Sequence, residues 1–80
     1  MTKKTSGPLR LGILGCAHIA RQFARDVLGS PRVQLAAVAS RDADKAQSFA
    51  AEYGLPRAHG SYEALLRDEG IDAVYIPLPN

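Results

Sequence analysis

Cysteine occurs once in the 80 residues and tryptophan not at all, and the aromatic complement is two phenylalanines and three tyrosines. A single cysteine, Cys16, excludes an internal disulfide and a zinc knuckle built on paired cysteines, and it fits a reducing, cytoplasmic setting. No uncharged apolar run approaches the roughly 18 residues of a membrane span, so no membrane partner is expected. The apolar stretch between Arg10 and Cys16 is also shorter than the roughly 7 to 15 residues of a signal-peptide core. Neither sign of charge dominates. Ten lysines and arginines stand against eight acidic residues, and no basic cluster exceeds Lys3-Lys4, so the electrostatic footprint of a nucleic-acid binder is lacking. A domain this short buries only about 60 to 65% of its unfolded surface, which makes it marginal unless a partner or more chain supports it.

What is present is an alternation of apolar runs with amphipathic stretches. Residues 1–8 are small and polar, broken by Gly7-Pro8, and read as a disordered lead-in. Leu9 to Gly15 is a short apolar run closed by glycine, the pattern of a strand buried on both faces. From His18 to Leu28, Ile19, Ala20, Phe23, Ala24, Val27 and Leu28 recur at helical spacing, stopped by Gly29-Ser30-Pro31. Val33 to Ala39 is a second buried strand. Asp42 to Tyr53 is a second helix with Ala46, Phe49, Ala50 and Tyr53 on one face, ended by Gly54-Leu55-Pro56. Arg57 to Gly60 has room for a short third strand. Ser61 is an N-cap for a helix from Tyr62 to Asp68 stopped by Gly70, and Asp72 to Leu78 is a fourth strand.

The order β-α-β-α-β-α-β with continuous apolar strands predicts an α/β fold: a doubly wound parallel sheet, of which residues 9–80 are the first half. Ligands of such sheets sit beyond the carboxyl ends of the strands, beside the first. The turn there, Gly15-Cys16-Ala17-His18-Ile19-Ala20, fits the dinucleotide fingerprint G-x-G-x-x-G/A with alanine in its second glycine position. Gly15 suits the tight turn, small Ala17 lets backbone approach a pyrophosphate, and Ala20 lets the helix pack closely. The helix start then offers free N–H groups and a positive dipole end to phosphate. Cys16 reads as a small buried filler, and His18 as at most a phosphate contact.

The end of the second strand distinguishes two cofactors. An NAD site places an acid there for the ribose hydroxyls, whereas a 2′-phosphate needs cations and hydroxyls. This chain has Ser40-Arg41, with Lys45 four residues past Arg41, which favours NADP over NAD. Asp42 keeps NAD open, should the strand run one or two residues further. An S-adenosylmethionine methyltransferase would also want an acid near position 40.

Four segments taken together carry a family pattern: Leu11-Gly-Ile-Leu-Gly-Cys-Ala-His-Ile-Ala20, Val38-Ala-Ser-Arg-Asp42, Ser61-Tyr-Glu-Ala-Leu-Leu66 and Asp72-Ala-Val-Tyr-Ile-Pro-Leu-Pro-Asn80. In this order they resemble the amino-terminal domain of the glucose-fructose oxidoreductase / inositol dehydrogenase (Gfo/Idh/MocA) family, over nearly the whole chain from Leu9. The resemblance implies an NADP-dependent oxidoreductase acting on a sugar, cyclitol or related diol. It implies pyrophosphate contacts from Gly15, Ala17, His18 and Ile19, and 2′-phosphate contacts from Ser40, Arg41 and Lys45. It also implies Tyr62 near the adenine and Pro77, Leu78 and Asn80 beside the nicotinamide. Ala17 stands where many members have glycine. The acid-base lysine that the family uses, in a Glu-Lys-Pro motif beyond the fourth strand, has no counterpart among Lys3, Lys4 and Lys45. The same resemblance therefore implies the front part of a longer, homo-oligomeric enzyme, with a sugar-like substrate held by a further domain and no catalysis by these residues alone. The rival expectation is a non-catalytic NAD(P)-binding sensor.

Overall fold

The computed structural model describes residues 7–15 and 18–76. In chain order it runs β1 (Leu9–Leu14), α1 (His18–Val27), β2 (Val33–Ala39), α2 (Ala43–Tyr53), β3 (Arg57–His59), α3 (Tyr62–Leu66) and β4 (Ala73–Tyr75). The strands form one four-stranded sheet in the order β3-β2-β1-β4, every neighbouring pair parallel, as the alternation predicts. Parallel neighbours need crossover connections, and each is supplied by a helix. Because the chain moves outward through β1, β2 and β3 and then returns to β4 on the other side of β1, right-handed crossovers put α1 and α2 on one face and α3 on the other.

The two faces are packed differently. Leu11, Ile13, Leu35 and Val38 of the sheet meet Ala20 and Ala24 of α1 and Ala46, Phe49 and Ala50 of α2 in the larger core, where Ile13, Val38 and Phe49 are fully buried. On the opposite face Ala37 and Ala39 receive Leu65, with Leu14, Ile71 and Val74 around them. Small residues there let α3 approach. A Cβ added at Gly12 would stand 2.9 Å from Leu65 Cδ1 and 3.0 Å from Ile71 Cδ1. Leu35 and Val38 share a face despite their odd spacing because the β1–β2 register shifts between Leu11 and Gly12, so Leu11 pairs Leu35 while Ile13 pairs Val38. The extra residue, Ala36, is a bulge that puts both large side chains into the same core.

Helix ends follow the local chemistry. Asp42 caps α2, its carboxylate accepting the N–H groups of Asp44 at 3.0 Å and Lys45 at 3.3 Å. Gly54 closes α2 with φ 75°, a left-handed conformation that glycine adopts without steric cost. Ser61 caps α3, accepting from Ala64 N–H at 3.1 Å.

Several expected boundaries are corrected. The first strand is not buried throughout, since Leu9 and Arg10 are exposed. The second helix starts at Ala43, with Asp42 outside it as cap. The third helix stops at Leu66 rather than Asp68, because Arg67 is already its C-cap and the Asp68 carboxylate turns away to bind other partners. The fourth strand starts at Ala73, and within the described residues it ends at Tyr75. Asp72 instead grips β1 from outside the strand: it accepts Arg10 N–H at 2.8 Å, its Oδ1 pairs with Arg10 Nη2 at 2.9 Å, and its own N–H donates to Arg10 O at 2.6 Å. The lead-in expected over residues 1–8 falls outside the described residues apart from Gly7 and Pro8, both exposed.

Candidate functional site

The carboxyl ends of the strands are drawn together by backbone bonds that run across the sheet. Gly15 N–H donates to Ala39 O at 2.7 Å, and Ser40 N–H donates to His59 O at 3.1 Å, so the turns after β1, β2 and β3 form one continuous edge. Gly15 has φ +101°, a conformation that L side chains rarely adopt, and no described residue lies within 4 Å of where its Cβ would be. The turn therefore favours glycine, and the described residues leave that side clear. His18 and Ile19 follow as the exposed first residues of α1, with Ala20 fully buried behind them. Cys16 and Ala17 lie outside the described residues, as do Pro77, Leu78 and Asn80.

After β2, Ser40 is only 9% exposed, and its Oγ accepts the N–H of Asp42 at 3.1 Å. A hydroxyl that accepts from the backbone keeps its own proton available for donation. Arg41 is exposed, and no described residue pairs with its guanidinium. Lys45 lies in the first turn of α2, where with Arg21, Asp44 and Ser48 it lines a hollow of about 300 Å³ between the starts of α1 and α2. Asp42, the residue that kept NAD open, lies beyond the end of β2 at Ala39, and its Oδ1 is engaged in capping α2. Tyr62, 38% exposed, opens α3 at the same edge, while Leu65 is the residue that packs the helix. A larger hollow of about 410 Å³ lies at the opposite end of the sheet, among Pro31, Val33, Leu35 and Pro56. It holds none of the predicted residues.

Two features escaped the sequence reading. Arg21, which stands between the apolar positions of α1, reaches α2: it pairs with Glu52 and its guanidinium carbon sits 5.5 Å from the centre of the Phe49 ring. Glu52, and after it Tyr53, holds the guanidinium above its ordinary value. The other is Asp68, whose side chain is 8% exposed and whose Oδ2 takes Arg57 Nε at 2.7 Å and His59 Nε2 at 2.9 Å. Its Oδ1 accepts Gly70 N–H at 2.7 Å. The His59 and Arg57 donors pull the carboxyl down from 3.8 to about 2, outweighing the opposing effect of burial. Neither could be found from local pattern, because the partners come from different elements.

An open glycine turn at the start of the first crossover helix, beside a second strand whose end bears cations and a hydroxyl in place of an acid, defines the first half of a Rossmann-type dinucleotide-binding fold. Residues 9–80 match the GFO_IDH_MocA oxidoreductase family, NAD-binding Rossmann fold, and the chain belongs to that family. Among curated relatives, D-xylose 1-dehydrogenase (NADP(+)) 2 of Haloferax volcanii is 49% identical over 72 residues, 90% of this chain and 22% of the relative. The dTDP-3,4-didehydro-2,6-dideoxy-alpha-D-glucose 3-reductase of Streptomyces violaceoruber is 44% identical over 77 residues, 95% of this chain and 22% of that protein. A solved 3-ketoreductase from Actinomadura kijaniata, in complex with NADP, superposes with a TM-score of 0.83 at 39% identity, over 91% of this chain and 23% of its own. The chain thus spans about a fifth of the length of these relatives. Among the described residues, no helix is long and apolar enough to cross a membrane.

Proposed function

We propose that these residues form the nucleotide cradle of an NADP-dependent oxidoreductase that moves a hydride between nicotinamide and a sugar, cyclitol or related diol. The observation that carries the reading is the end of β2, where a near-buried hydroxyl is followed by an exposed guanidinium that pairs with no described residue, and one oxygen of the nearest carboxylate caps α2. Relatives named for NADP and for sugar substrates support it.

The residues present fit the cofactor. Gly15 leaves its outer side open for a pyrophosphate, and the first N–H groups of α1 present the positive end of the helix dipole to it. Ser40 would donate its hydroxyl proton to the 2′-phosphate while its oxygen holds the turn through Asp42 N–H. Arg41 would add a charge-assisted bond, and Lys45 supplies a further cation from a first helical turn, where lysine opposes the helix dipole and gains from an external anion. Tyr62 offers an exposed ring at the adenine end of the edge. NADP, when bound, would supply or accept the hydride.

Pro77, Leu78 and Asn80 would border the nicotinamide, and proton transfer to the substrate oxygen would fall to a lysine beyond Asn80. Substrate contacts would come from a further domain, and the whole enzyme would work as a cytoplasmic homo-oligomer. The test is oxidation of a panel of aldoses, cyclitols and diols by the intact protein, followed by absorbance of the reduced nucleotide. Turnover with NADP that exceeds turnover with NAD is expected. Nucleotide binding without turnover of any member of the panel would instead describe a sensor.

A further inference from the structure

We infer that Asp68 is a positioning residue for the 2′-phosphate end of the site, acting through His59 on Ser40; this rests on the proposed NADP reading. The clamp begins at the edge of the sheet. Strand β3 is 3 residues long, has a single neighbouring strand, and contributes Ala58 to the larger core. The side chains on either side of Ala58 leave by the other face, and both end on one atom: Arg57 Nε at 2.7 Å and His59 Nε2 at 2.9 Å from Asp68 Oδ2. A carboxylate with 8% of its surface exposed, anchored on its second oxygen by Gly70 N–H at 2.7 Å, has little freedom to follow a moving strand. The site is built around it. A Cβ at Gly70 would stand 2.1 Å from Arg57 Nη2 and 3.0 Å from Asp68 Oδ1, so any larger residue there would have to push the Arg57 guanidinium aside.

The held strand end is the one that holds Ser40. His59 O accepts Ser40 N–H at 3.1 Å, and Ser40 Oγ in turn accepts Asp42 N–H at 3.1 Å. The next residue, Gly60, would bring a Cβ to 3.2 Å from Ala43 Cβ, so the β3 turn also bears on the first residue of α2, two positions before Lys45. A single carboxylate outside the nucleotide edge therefore fixes the register of the strand end against which the phosphate-binding turn is built. The pyrophosphate turn at Gly15 is tied to Ala39 of β2 and so stands one strand further from the clamp than Ser40, which bonds β3 directly.

The dependence predicts a selective effect. In the intact protein, His59→Leu removes one donor yet leaves Asp68 paired with Arg57 and Gly70, and His59→Gln restores a neutral donor of similar reach. Fluorescence titration of NADPH and of NADH gives the affinity ratio for each variant, with melting temperature as the folding control. His59→Leu should weaken NADPH by about five- to tenfold, the scale of one lost hydrogen bond, with NADH within about twofold, and His59→Gln should recover most of the loss. Asp68→Asn should shift the ratio in the same direction. If both nucleotides weaken together, or if the ratio stays at the wild-type value in His59→Leu, Asp68 is a stabilising clamp only and the inference is overturned. A wild-type protein with no preference for NADPH would overturn the NADP reading beneath it, which separates the two failures.

Discussion

Replacing Ser40 by aspartate should convert the end of β2 from the proposed phosphate site into a ribose site. Ser40 Oγ accepts Asp42 N–H at 3.1 Å, and a carboxylate oxygen can take the same bond, since aspartate and serine form equivalent turns with their own backbone. The new charge also sits before the start of α2, where a helix dipole favours an anion and offsets part of the cost of placing a carboxylate at a position only 9% exposed. Nucleotide affinity should change as well. Two unit charges about 6 Å apart at an effective dielectric constant of about 20 repel by about 3 kcal/mol. Salt and the Arg41 guanidinium reduce this, leaving about 1.5 to 2.5 kcal/mol against a phosphate, or a loss of about 10- to 70-fold in NADPH affinity. NADH carries no 2′-phosphate, and the aspartate can accept from its ribose hydroxyls, so NADH should hold or gain. Fluorescence titration of both nucleotides at low and high salt is the assay, and the NADPH penalty should shrink as salt rises. A folded Ser40→Asp protein with an unchanged NADPH to NADH ratio would refute the placement of the phosphate.

Other consequences concern the scaffold. Phe49 is fully buried, beside Tyr53 with ring centres 4.8 Å apart, and Phe49→Ala should cost about 3 to 5 kcal/mol in urea unfolding of the intact protein. Gly54→Ala forces a left-handed φ of 75° on an L side chain and should cost about 1 kcal/mol by the same assay. Because Asp68 titrates at about 2 when folded against 3.8 when free, its contribution is fully present above about pH 4 and is lost as pH falls toward 2. Stability measured against pH should slope through that window, and Asp68→Asn should flatten the slope.

The legible parts of the fold were those where one element carries its own signal. β2 runs from Val33 to Ala39 as read, because an apolar run bounded by proline and a serine-arginine pair has no competing interpretation. The end of α2 was equally plain, since Gly54 takes the left-handed φ that a glycine after the last turn implies. The bulge at Ala36 was invisible, because a run of apolar residues does not show which face each one takes. α3 ended early for a tertiary reason: Asp68, although within reach of the helix, is recruited by Arg57 and His59 of β3. Gly70 looked like a helix stop and is instead the space into which Arg57 packs. At the carboxyl edge of the sheet, the positions of Gly15, Ser40 and Arg41 could be read from spacing because the turns after β1 and β2 are local. The tie from Ser40 to His59, and from His59 to Asp68, crosses three elements and leaves no periodic trace.

The central claim is that the end of β2 binds a 2′-phosphate. Equilibrium titration of the intact protein with NADPH and with NADH, repeated for Arg41→Ala, tests it most directly. Charge-assisted bonds of about 1.5 to 3 kcal/mol predict NADPH at least about tenfold tighter than NADH, with most of that advantage gone in Arg41→Ala and NADH binding unchanged. Equal affinities in the wild type, or an Arg41→Ala protein that still prefers NADPH to the full extent, would contradict it.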